Sequence, residues 1–232
     1  MLRESRMQLM SEQRVTRLDP VFGQMGIEAG KAIWSAPALS MREKAVVMIT
    51  ADLCVPELGL PFELHVGMAL GQAKMTVEDL RELLRHIAPD AGFNIVAMGF
   101  ERLLQIAKEL DKDSGSSATR MEADQPVYDA ATLAALEKLD PEFARMVDRT
   151  SRQLWSRPGL SRRERCLATF AVDVVGGTLG TPFAVHVGLC RQAGLTRADC
   201  CVALRALAEF SIPKAWQALI ALDALLPHAR TN

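Results

Sequence analysis

The 232-residue chain is 49% hydrophobic, 24% charged and 5% aromatic, which is the composition of a globular protein with ample material for a core. Its formal net charge of −1 removes the electrostatic case for a nucleic-acid partner, which needs a concentrated basic face. No apolar run is long enough for a signal peptide or a membrane span, so the sequence predicts a soluble, cytoplasmic protein with no membrane partner.

Residues 1–17 are polar, carry both charge signs and read as an N-terminal extension. After them the chain is written twice. LDPVF at Leu18 returns as LDPEF at Leu139, LSMREK at Leu39 as LSRRER at Leu160, and PFELHVG at Pro61 as PFAVHVG at Pro182. All three blocks are displaced by the same 121 positions, and chance does not give one register three times. Past the histidines the register drops by one, since QAKMT at Gln72 answers QAGLT at Gln192. The stretch 111–126, DKDSGSSATRMEADQP, lacks helical periodicity and reads as a linker. The expected organisation is a first unit at 18–110 and a second at 127–228.

Each unit reads as helical throughout. Ser40-x-x-Glu43 and Ser161-x-x-Glu164 have the form of capping boxes, in which serine and glutamate satisfy free backbone donors. The runs that follow, EKAVVMITADLC and ERCLATFAVDVV, are apolar enough for buried helices. PELGLP and GGTLGTP break the chain, a second helix then carries His65 or His186, and Thr76-x-x-Asp79 and Thr196-x-x-Asp199 cap a third. No alternating strand pattern competes, so the predicted class is all-α.

The five cysteines, Cys54, Cys166, Cys190, Cys200 and Cys201, contain no CxxC spacing and read as reduced thiols. Nothing in the pattern calls for a cofactor or a metal. His65 is the first choice for chemistry, because imidazole exchanges protons near neutral pH. His186 is its counterpart, and both also admit a buried structural role. Glu63 distinguishes the units, since alanine holds that place in the second. Residues two apart on a helix point about 200° from each other, so Glu63 is not expected to bond His65 directly. Glu43 is either a proton relay or simply the glutamate of its cap. Arg42, Arg157 and Arg163 are candidates to hold a substrate carboxylate through the guanidinium fork, against a structural role for each. Trp34 and Trp155 read as core or interface anchors.

In IWSAPALSMREKAVV, PFELHVGMAL and DAGFNI of the first unit, and LWSRPGLSRRERCLAT, PFAVHVGLCRQAGLT and EFSIPKA of the second, the chain resembles the carboxymuconolactone decarboxylase family of the alkylhydroperoxidase D-like superfamily. The resemblance implies a duplicated alkylhydroperoxidase D-like helical fold, an active-site histidine at His65 and a proton-relaying glutamate at Glu43. It also implies a homotrimer in which paired units mimic a hexamer. The function it implies is a cofactor-independent lyase or isomerase acting on a small carboxylated lactone or related carbonyl compound. The alternative is a small-molecule-binding or assembly protein on the same fold. Convergence of His65, Glu63 and Glu43 in one pocket favours the enzyme, and scatter favours the alternative. The redox relatives' CxxC is replaced by Leu58 and Pro61 in one unit and by Leu179 and Pro182 in the other, which leaves thiol peroxidase last. The first unit is expected to lean towards chemistry and the second towards architecture, unless a shared site draws on both.

Overall fold

The computed structural model describes residues 12–55, 58–112 and 126–227. Among them are twelve helices and no strand, as the sequence predicts. A short α1 (Glu12–Thr16) leads into α2 (Pro20–Ser35), α3 (Met41–Leu53), α4 (Leu60–Gly71), α5 (Val77–Ala91) and α6 (Phe93–Glu109). The second half runs α7 (Ala130–Leu139), α8 (Pro141–Trp155), α9 (Arg162–Gly176), α10 (Thr181–Gln192), α11 (Arg197–Leu207) and α12 (Ile212–Leu225). Helices α2–α5 and α8–α11 carry the same cap residues in the same order, aspartate, serine, glycine and threonine. Most of the proposed linker, and residues 1–11 of the proposed extension, lie outside the described residues. The rest of that extension is α1, which packs on α2.

Local chemistry sets the helix starts. Asp19 and Asp140 cap α2 and α8, each followed by a proline whose fixed φ suits the first helical position. Four capping boxes open α3, α5, α9 and α11, with Ser40, Thr76, Ser161 and Thr196 accepting from the backbone three residues on. Each such cap contributes about 1 kcal/mol.

The core is built on α3 and α9, which pack on each other and are buried on every face from Glu43 to Leu53 and from Glu164 to Val175. A helix with no solvated face must be central, and everything else wraps this pair. Helix α4 lies on α3 and α10 on α9, so each histidine helix sits on its own half's central helix. Helices α5 and α11 instead pack on both central helices, α5 more on α9 than on α3 and α11 on α3 and α9 alike, so the halves interlock. Helix α6 approaches α3 closely because residue 99 is glycine: a Cβ there would lie 2.4 Å from Leu53 Cδ2.

The central helices carry ionic groups, and these tie the halves together. Arg42 Nε bonds Glu164 at 2.9 Å, while Arg163 Nε bonds Glu43 at 2.7 Å, the same pair with the halves exchanged. Arg165, one of the largest fully buried side chains, reaches Glu82 at 3.0 Å, and Arg157 bonds both oxygens of Glu82 at 3.1 and 2.8 Å. Gly159, at φ +98°, forms the turn against Glu82, where a side chain would be strained.

Candidate functional site

Two aspartates place the two histidines. Asp52, the penultimate residue of α3, accepts from His65 Nδ1 at 2.7 Å; Asp173 of α9 accepts from His186 Nδ1 at 2.6 Å. Both carboxylates are buried, and both histidines are largely covered, with side chains 14% and 12% exposed. A carboxylate on Nδ1 fixes the tautomer, so Nε2 is the working nitrogen of each ring. Sequence reasoning passed over these aspartates. A signal was present: each is the lone acid late in an apolar helix, thirteen residues before its histidine.

The surroundings of the two dyads differ. His65 lies between Trp34 and Phe210, each with its ring centroid 6.4 Å away. Phe210 belongs to the second half, as does Glu209, whose charge acts on His65. Burial pulls the His65 pKa down, but the carboxylates of Asp52 and Glu209 outweigh it and the net displacement is upward. Burial likewise raises Asp52 against the opposing His65 charge, so the pair retains a proton between its members. At His186, Nε2 accepts from the Tyr128 hydroxyl at 3.3 Å, and Thr178 donates to Asp173 Oδ1 at 2.9 Å. Here the first half supplies the additional acid. Crowding by protein, opposed by His186 and helped by Asp173, raises the Asp90 carboxyl to about 6, although the residue is exposed. Each histidine is therefore served by an acid from the opposite half.

The other sequence candidates do not converge on His65. Glu63 turns to Arg14 of α1 and to Arg102 of α6, the latter at 2.9 Å, and Arg14 leads in holding its carboxyl below the usual range. Glu43 closes the cap of α3, with Oε2 2.8 Å from the Ser40 nitrogen, and also holds Arg163. It lies nine residues before Asp52 on the same helix, about 14 Å along the axis. Arg42 is committed to Glu164 and Asp79, and Arg163 to Glu43. Arg157 lines a cavity of about 370 Å³ with Arg85, Phe93 and Phe100, but its guanidinium is held by Glu82, and neither dyad borders that space. Trp34 is buried beside His65, whereas Trp155 packs edge-on to His86 at 5.1 Å. His86, buried against the Arg165 carbonyl, is pushed down to about 3 and stays neutral.

A second cavity, of about 240 Å³, is lined by none of the dyad side chains but by chain neighbours of Asp52 and Asp173 and by Phe210. It is walled by Val55 at the end of α3, by Val174 and Val175 next to Asp173, and by Leu207, Phe210, Ser211 and Lys214. Cys54, above it, is pushed up to about 12, chiefly by burial, so it is a neutral thiol rather than a nucleophilic thiolate. All five cysteines are free. Among the described residues no group of three or more His, Cys, Asp or Glu side chains is arranged to hold a metal ion, and no helix is long and apolar enough to cross a membrane.

Comparison with known proteins puts these features in context. Residues 141–224 match the sequence model of the carboxymuconolactone decarboxylase family. The fold is similar to a crystal structure from Burkholderia xenovorans LB400, titled as a gamma-carboxymuconolactone decarboxylase subunit, with a TM-score of 0.57 and 20% identity over 92% of this chain and 89% of the other. No curated protein matches the sequence.

Proposed function

Because residues 141–224 match the sequence model of the carboxymuconolactone decarboxylase family, we propose that the chain is a cofactor-independent lyase or isomerase of small carboxylated carbonyl compounds. On this reading its two halves are tandem copies, and His65 is the proton-transfer group. The observation that carries the proposal is the His65–Asp52 dyad, a histidine with its tautomer fixed and its proton retained towards neutral pH, set between two aromatic rings.

In decarboxylation the bond to the carboxylate breaks, carbon dioxide leaves, and the electron pair passes into the adjoining carbonyl as an enolate. Protonated His65 then delivers its Nε2 proton to carbon and becomes neutral, while Asp52 steadies the imidazolium before transfer. Isomerisation uses the same dyad in both directions, first taking and then returning the proton. On this reading Asp52 orients His65 and holds its proton, and Glu43 has no part as a proton relay.

Screening small lactone and keto carboxylic acids with the full chain identifies the substrate. On that substrate His65→Ala lowers kcat by about 10²-fold or more. Asp52→Asn lowers kcat and shifts the pH profile to lower pH, because His65 loses the charge that holds its proton. Unchanged kinetics in His65→Ala sinks the proposal.

The scatter of Glu63 and Glu43 away from His65 favours a second reading, a small-molecule-binding protein without turnover. Binding of the screened acids without any chemical change in them would establish it. A homotrimer is part of the proposal in either case, supported by apolar faces on α2 and α12 that the single chain leaves bare.

A further inference from the structure

The three arginines that sequence offers as carboxylate ligands are all committed: Arg42 to Glu164 and Asp79, Arg157 to Glu82, Arg163 to Glu43. A carboxylated substrate therefore needs another cation. Lys214, an exposed residue, is the only charged one lining the 240 Å³ cavity among the described residues. Its Nζ donates to the Val175 carbonyl, and among the described residues it pairs with no carboxylate. An ammonium has three donors, so two stay free for a ligand. The remaining wall is valine, leucine and phenylalanine apart from Ser211, which is an apolar pocket with one polar fixture.

The position relative to the dyads follows from shared residues. Phe210 borders this cavity and also faces His65 at 6.4 Å. Val55 is three residues beyond Asp52, and Val174 adjoins Asp173. Lys214 acts electrostatically on Cys54, two residues from Asp52. When the start of α12 at Ile212 is aligned with that of α6 at Phe93, the counterparts of Phe210 and Lys214 in the first half are Ala91 and Ile95, so only one of these two places carries a cation and a ring.

We propose that this cavity binds the carboxylate of a small organic acid, with Lys214 holding the anion and Phe210 carrying the apolar body beside His65. The placement rests on the reading of His65 above and names the group that holds its substrate. It also gives the second half a direct part in the first half's site, through the EFSIPKA segment.

Benzoate is the probe, with benzyl alcohol as its uncharged analogue, titrated into the full chain and followed by ligand-observed NMR. Benzoate binds, benzyl alcohol binds at least about tenfold more weakly, and Lys214→Met weakens benzoate by at least about tenfold, the worth of one charge-assisted hydrogen bond. Lys214→Arg keeps most of the affinity. Equal binding of the two probes, or full benzoate affinity in Lys214→Met, overturns the inference. So does loss of binding in Arg157→Gln with Lys214→Met unaffected, which moves the site to the larger cavity. Absence of benzoate binding in the parent chain also overturns it, while the role of His65 is still decided separately by turnover.

Discussion

At the scale of single residues, Asp90 makes the site measurable without a substrate. Its carboxyl titrates at about 6 in the folded chain, against an ordinary value of 3.8. A raised folded-state value means the fold prefers the protonated acid. Its contribution is fully present below the unfolded value and is lost as pH rises through about 6. Above that pH the ionised carboxylate works against folding, so Asp90→Asn should raise Tm at pH 7.5, with the gain shrinking as pH falls towards 4. A Tm difference that is flat from pH 4 to 8 would contradict this. His65 was legible from sequence because it repeats with its flanking motif, and imidazole chemistry is distinctive. Asp52 was not, since a single acid in an apolar helix looks like a solvated position until the helix is known to be buried on all sides. The arginines misled for a related reason. Sequence shows a guanidinium but not the carboxylate that tertiary packing brings to it, here from the other half of the chain.

Among the helices, the packing of α5 on α9 contains the costliest polar arrangement in the molecule. Glu82 and Arg165 are both buried, and Arg157 adds a second guanidinium to the same carboxylate. Removing one member strands the other, so Glu82→Ala should cost about 3–5 kcal/mol in denaturant unfolding. The double change Glu82→Leu with Arg165→Met should cost less, because it removes both fully buried charges and leaves only the partly exposed Arg157 without its carboxylate. A double variant as unstable as the single one would refute that account. In the second half's equivalent contact, α11 on α3, Val202 stands where Glu82 does, and Lys44, at the place of Arg165, bonds the Trp34 carbonyl at 2.8 Å instead. Helix class and starts were readable because caps and periodicity are local. The crossing of α5 and α11 onto the opposite central helix was not, because the same amphipathic pattern fits packing within a half equally well.

For the whole molecule, the bare apolar stripe of Ile212, Trp216, Leu219 and Ile220 on α12 is the strongest sign of self-association, with Trp216 67% exposed. A stripe at helical spacing and of this size is rarely left to water. Trp216→Glu should reduce the mass measured by light scattering from three 25.4 kDa chains to one. A parent chain that already scatters as a single copy would remove the trimer from the proposal. The interlock of the halves also bears on how the chain comes into being. During synthesis α3 emerges well before α9, a helix that covers it, and Phe210 and Lys214 follow later still. The first half must therefore wait with the α9-facing side of its central helix uncovered, and His65 gains its complete surroundings only once Phe210 has been made.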